Sequence, residues 1–199
     1  MFPTYSCGMD SSKNLNISCP FGPALVESRN SYGISQSRLS ILAACNVTNL
    51  RKIEKGTMQP GVSMAVRLVA AIGTDVGDFF QKLAEDNLSI PLPDVPGSGG
   101  MPKEKDSFIK GLLLPEERER ESKSIFGLMF KEVRVHYGVT QKVAAESAGY
   151  NLRNLHSVES GSQEPGIMTA LALVSATGAN VESFFDRLHW LLEEHRFIA

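Results

Sequence analysis

The sequence predicts an all-α protein made of two tandem five-helix domains joined by a Pro/Gly-rich linker. Three observations carry this: an internal repeat, an apolar spacing that suits helices and never alternates as a strand would, and helix-breaking residues between the repeats. Displaced by 105 residues, FGPALVESRNSYGISQSRLSILAACNVTNLRKIEKGTMQPGVSMAVRLVAAIGTDVGDFFQKL (21–83) lies on FGLMFKEVRVHYGVTQKVAAESAGYNLRNLHSVESGSQEPGIMTALALVSATGANVESFFDRL (126–188) without a gap, with about 24 of 63 positions identical. Many identities are structural punctuation: Tyr32-Gly33 with Tyr137-Gly138, Gln36 with Gln141, Asn46 with Asn151, Glu54 with Glu159, Gly56 with Gly161. Between the copies, Pro91, Pro93, Pro96 and Pro102 with the GSGG run argue against a continuous helix or a ladder strand. The expected organisation is a flexible arm over 1–20, a domain over 21–86, a linker over 87–114, and a second domain with a C-terminal helix over 115–199.

The first helix, 23–32, ends at Gly33, the residue best able to take the left-handed conformation there. Ser35 caps a second helix over 36–43, and Asn46 caps a third over 47–55 that Gly56 stops. A fourth helix over 63–72 and a fifth over 76–86 place Val66, Val69, Phe79, Phe80 and Leu83 inward. Copy two repeats this with Gly138, Thr140, Asn151 and Gly161, and with Leu171, Val174, Phe184, Phe185 and Leu188. Pro115 and the carboxylates after it in LPEERERESKS predict that the first helix of copy two starts early, near Glu116.

Twenty Lys and Arg against 22 Asp and Glu give a formal charge of -2, so contact with a polyanion must come from a local patch. No apolar run approaches the ~18 to 20 residues of a bilayer span, so no membrane partner is expected. Cys7, Cys19 and Cys45 fit neither a disulfide framework nor a metal site, and the N-terminus lacks a secretory pattern. The expected setting is cytoplasmic. No P-loop, GxGxxG, HExxH, nucleophile elbow or Cys/His cluster appears, and His136, His156, His189 and His195 are scattered. Glu116, Glu117, Glu119 and Glu121 alternate with Arg118, Arg120 and Lys123 as a solvated helix face does. The chain is therefore expected to be no enzyme, with no cofactor and no metal.

A short helix, a tight turn and a second short helix form the geometry in which the second member can enter a DNA major groove. SQSRLSILAACNVTNLRKIEKG and TQKVAAESAGYNLRNLHSVESG resemble the Cro and lambda-type repressor family of helix-turn-helix domains, called Xre-like. The resemblance rests on Gln36 and Gln141 opening the second helix, Leu50 and Leu155 within the third, Glu54/Gly56 and Glu159/Gly161, and Pro60 and Pro165 beyond. It covers both repeats, so it implies two tandem lambda-repressor-like domains. The sequence departs from the family at Ala44, where a turn glycine is usual, and at Ala144, where a leucine is usual.

The resemblance implies a sequence-specific transcriptional regulator, a repressor, that reads double-stranded DNA with the outer face of the third helix, the leading glutamines Gln36 and Gln141 lying near the backbone. In copy one that face carries Val47, Thr48, Asn49, Arg51 and Lys52, followed by Lys55; in copy two it carries Leu152, Arg153, Asn154, His156 and Ser157. The cations suit phosphates, and Arg51 or Lys52 is also able to reach guanine O6 and N7. Copy one, with more charge, is expected to bind more strongly. Similar domains pair a first-helix arginine with the third-helix glutamate, which assigns Arg29 with Glu54 and Arg134 with Glu159 to internal ion pairs. The plainer readings are that Gln36 and Gln141 are only good helix formers, that Arg51, Lys52 and Lys55 are an ordinary solvated face, and that His156 is an exposed helix residue.

Two copies on one chain can supply two recognition helices. A flexible linker of roughly 28 residues has a mean reach of ~30 Å, against a half-site spacing of ~34 Å. Copies used together would read an asymmetric site, whereas copies used singly within a homodimer would read a palindrome. The C-terminal helix offers a homodimer interface through Leu188, Trp190, Leu191 and Leu192, with packing of Trp190 against FIKGLLL (108–114) as the alternative. The second functional reading is a protein-binding module, an antitoxin or phage-type inhibitor, that keeps the fold without reading DNA.

Overall fold

The computed structural model describes residues 19–89, 103–112 and 124–196, with the backbone alone for 103–106 and 195–196. Among these residues it is helical, with no strand: α1 (Phe21–Ser31), α2 (Gln36–Leu42), α3 (Val47–Glu54), α4 (Val62–Ile72), α5 (Val76–Asn87), α6 (Lys103–Gly111), α7 (Ile125–His136), α8 (Gln141–Ser147), α9 (Leu152–Glu159), α10 (Ile167–Ala176) and α11 (Val181–Arg196). Side-chain caps set the short helices. Ser35 Oγ accepts from the Arg38 amide at 3.2 Å and Asn46 Oδ1 from the Thr48 amide at 2.7 Å. Thr140 and Asn151 do the same for the amides of Val143 and Arg153, so each copy fixes the turn between its second and third helices by local chemistry.

That turn strains copy one and not copy two. Ala44 sits at φ 48, in the left-handed region, where its counterpart Gly149 sits at φ 61. A second glycine constraint is shared. A Cβ on Gly22 would lie 2.2 Å from the Ile53 carbonyl oxygen, and one on Gly127 would lie 1.8 Å from that of Val158. Only glycine lets the first helix of each copy cross the third at backbone distance.

The cores follow the helical spacing. Leu25, Leu39, Leu50, Val66, Val69 and Phe80 are buried in copy one, and Phe126, Phe130, Leu155, Leu171, Val174, Phe184 and Phe185 in copy two. These side chains belong to one continuous cluster, because the copies pack on each other through α5 and α11. Phe80 lies against Phe185 with ring centroids 4.4 Å apart. The Val62 amide donates to Pro165 O at 3.1 Å and the Ile167 amide to Pro60 O at 3.0 Å, an antiparallel bridge centred on Gly61 and Gly166. Gly77 N–H donates to Asp186 Oδ1 at 2.8 Å, and Glu182 N–H to Gln81 Oε1 at 3.3 Å. Glu164 caps α4 across the boundary by accepting from the Ser63 amide at 2.8 Å. Packing, rather than linker reach, thus sets the distance between the copies.

Several sequence expectations change. The expected linker holds α6, whose Ile109 is buried against the core together with Leu112 just beyond its end, because Pro102 disfavours a helix continuing through it yet leaves KEKDSFIKG free to form one. Arg187 donates Nε to Leu112 O at 3.0 Å, and the Phe108 ring stacks on His136 at 3.7 Å. Helix α7 begins at Ile125; the early start foreseen near Glu116 lies outside the described residues, as do most of the N-terminal arm, the proline-rich stretch and the Glu116–Lys123 charge run. Leu188 and Leu191, foreseen at a subunit interface, are buried in this chain's own core, and Leu192 packs partly against it. Trp190 stays 47% exposed, beneath the Arg187 guanidinium at 4.0 Å, and that guanidinium holds the 108–112 segment through Leu112 O. No helix among the described residues is long and apolar enough to cross a membrane.

Relief of the left-handed alanine should make Ala44→Gly more stable by about 1 kcal/mol, and Gly149→Ala, which has open space for its methyl group, less stable by about 1 kcal/mol; urea denaturation reads both. A second outcome concerns Asp186. Burial raises its carboxyl above the usual range, the Gly77 amide and His189 oppose this, and Asp75 and Asp78 add to it. The folded chain therefore holds this proton more tightly than the unfolded chain, so the ionised form lowers stability at neutral pH, and the penalty fades as pH falls through the raised value. Asp186→Asn keeps an acceptor for Gly77 and should raise the urea midpoint at neutral pH, with the advantage gone by about pH 4.

Candidate nucleic-acid interface

Helix α3 is divided by its period. Leu50, Ile53 and Glu54 are buried, while Thr48, Asn49, Arg51, Lys52 and Lys55 are exposed and Val47 is half-buried. Helix α9 is divided the same way: Leu155, Val158 and Glu159 lie inside, Leu152, Arg153, Asn154 and His156 outside, and Ser157 at the margin.

The carboxylate of each helix is withdrawn from that outer face. Arg29 donates Nε to Glu54 Oε1 at 2.7 Å and Nη2 to Oε2 at 3.3 Å, while its Nη1 donates to Ile34 O at 2.7 Å. In copy two Arg134 donates Nε and Nη2 to the two oxygens of Glu159, at 2.5 and 2.9 Å, and Nη1 to Val139 O at 2.6 Å. Each guanidinium therefore ties the first helix to the third and to the chain entering the second. The negative charge is compensated inside, so it does not offset the cations outside.

The leading glutamines join this network. Gln36 Nε2 donates to Glu54 Oε2 at 2.6 Å, and Gln141 Nε2 donates to Glu159 Oε2 at 2.7 Å. One N–H of each amide is thereby committed to the interior, a role that neither reading of these residues from sequence contained. In copy one the chain of bonds reaches the surface, because Arg51 donates Nε to Gln36 Oε1 at 3.4 Å. His156 stands at the place of Arg51 in copy two.

Two features of the second helix were not singled out from sequence. Arg38, in the first turn of α2, is an exposed cation where copy two has Val143. Ile41, 79% exposed, and Leu42, also exposed, stand where copy two has Glu146 and Ser147. Comparison of the repeats position by position was the signal that could have found both. Cys45 and Tyr150, just before the third-helix caps, are half-buried packing residues, and burial raises both their pKa values, with Arg67 opposing the shift at Cys45. Among the described residues no group of His, Cys, Asp or Glu is arranged to hold a metal ion.

No protein-family model, no curated protein and no solved structure matches the chain.

The buried pair sets a measurable stability. Glu159→Gln leaves Arg134 without its counter-charge and should cost about 3 kcal/mol, whereas Arg134→Met combined with Glu159→Leu should cost clearly less, read by urea denaturation of the three variants against the parent chain.

Proposed function

We propose that this chain is a sequence-specific DNA-binding transcriptional regulator, a repressor that acts in the cytoplasm by occupying an operator, with two tandem helix-turn-helix domains. Helix α3, and α9 with it, enters the major groove. The observation that carries the reading is the charge arrangement of α3: Arg51, Lys52 and Lys55 are exposed together, while Glu54 is turned inward and neutralised by Arg29. A chain of net charge -2 does not attract DNA as a whole, so a locally uncompensated cationic face is what DNA affinity requires. Phosphate contacts from the cations position the helix, and Thr48, Asn49 and Arg51 are of the kinds that bond base edges.

A protein-binding module of the antitoxin or phage-inhibitor kind is the second reading. It is favoured by apolar side chains left in water on the same helix pairs, Leu152 at 40% exposure and Ile41 at 79%.

Selection of bound duplexes from a random pool at near-physiological salt separates the two. The parent chain should enrich a motif, and Arg51→Ala with Lys52→Ala should weaken that enrichment and flatten the dependence of log K on log salt by about 2, while Arg153→Ala alone flattens it by about 1. Absence of enrichment by the parent chain, with only weak salt-sensitive binding, would leave the protein-binding reading standing in its place.

A further inference from the structure

The copies are joined by contacts that recur with the partners exchanged. The Val62 amide meets Pro165 as the Ile167 amide meets Pro60; the Gly77 amide meets Asp186 as the Glu182 amide meets Gln81; Phe80 meets Phe185, its own counterpart. Exchange of this kind defines a local two-fold axis, which passes between Gly61 and Gly166 and between Phe80 and Phe185. We infer that one chain reads one asymmetric DNA site, with α3 and α9 engaged together on the same duplex as two unlike halves. This rests on the DNA-binding reading above.

Geometry permits joint engagement. A two-fold rotation keeps the component of a direction along its axis and reverses the component across it, so joint engagement uses the part of the α3 and α9 faces that looks along the axis. A DNA duplex has local two-fold axes of its own, and a two-fold protein docks with the axes aligned. Gly61 at the axis lies only seven steps along the chain from Glu54. At ~3.3 to 3.6 Å per residue, the end of each recognition helix lies within about 25 Å of the axis. The two ends are thus within about 50 Å of each other, a range that contains the ~34 Å of one DNA turn.

The interface also occupies one surface that a homodimer of singly used copies would otherwise have available. A homodimer built with this surface would need α5 and the Gly61 turn of copy one free, yet α11 and the Gly166 turn of the same chain already cover them. The aromatic contact and the bridging backbone bonds make the arrangement rigid, so spacing is fixed by packing rather than by a tether.

The two halves present different side chains at every outward position of this face but one. Val47, Thr48, Arg51 and Lys52 correspond to Leu152, Arg153, His156 and Ser157, and Asn49 with Asn154 is the shared outward residue of this face. Copy one therefore selects through cations in the later part of α3, suited to guanine. Copy two selects through Arg153 at the start of α9, beside Leu152, whose apolar surface suits a thymine methyl. The position faced by Asn49 and Asn154 is the one where the halves agree, and adenine is the base that a bidentate asparagine favours.

The test uses the full chain. Duplexes selected from the random pool should contain two unlike half-sites about one turn apart, and titration well above the dissociation constant should saturate at one chain per duplex. Arg51→Ala with Lys52→Ala should relax only one half of the motif, and Arg153→Ala with Asn154→Ala only the other. Adding five base pairs between the halves should lower affinity by about 30-fold or more, because a rigid pair cannot follow the half-turn rotation. A palindromic motif bound by two chains, a single half-site, or tolerance of the added base pairs would each overturn the inference while leaving the DNA-binding reading intact. Failure to select any motif would overturn that reading, and the inference with it.

Discussion

The buried arginine–glutamate pairs hold together what each copy presents to solvent. Arg29 and Arg134 lie on the first helix, Glu54 and Glu159 on the third, and the same guanidinium bonds the carbonyl of Ile34 or Val139 at the entry to the second. Three helices are thereby referred to one planar group. The orientation of the third helix follows, because a bidentate fork admits little rotation. Gln36 and Gln141 extend the network to the start of the second helix, and in copy one Arg51 extends it to the surface. The same bonds that fix the helix remove its negative charge from the outer face. Loss of the Glu54 carboxylate would both free Arg29 and release α3 from the first helix.

The copies have diverged around this shared frame in ways that make physical sense together. Copy one has an exposed cationic third helix, a strained Ala44 in its turn and apolar Ile41 and Leu42 in water. Copy two has the relaxed Gly149 in that turn, fewer cations outside, and a covering segment. Helix α6 covers it at Phe108, which lies on His136, and Leu112 just beyond the helix is held by Arg187. In copy one Lys82 and Ser31 occupy the places of Arg187 and His136, so the equivalent surface is polar and offers α6 neither the guanidinium nor the ring.

Much of each copy was legible locally. Caps at Ser35, Asn46, Thr140 and Asn151, positive φ at Gly33 and Gly138, and the apolar spacing of α4 and α5 depend on residues within a turn or two of one another, and helix ends fall within a residue or two of where those residues place them. The outward residues of α3 and α9 were legible for the same reason, since a 3.6-residue period with Leu50 or Leu155 inside leaves their neighbours outside. The inward amides of Gln36 and Gln141 were not, because glutamine has no preferred environment until a carboxylate arrives from eighteen residues away.

What the sequence determined by itself is therefore the helices of the two copies, their caps and the existence of the repeat, readable from short-range sterics, hydrogen bonding and self-similarity. Tertiary structure alone decided where those copies sit. The Gly61–Gly166 bridge, the packing of Phe80 against Phe185 and the burial of Leu188 and Leu191 join positions about a hundred residues apart, and apolar spacing says that a face must be covered without saying by what. The C-terminal stripe had two candidate partners from sequence, a second chain or the 108–114 segment, and neither reading contained the close packing of α11 against α5. Helix α6 was hidden for a related reason. Nine residues between breakers have little helical stability of their own, and they are helical here because Ile109 and Leu112 have a core to enter.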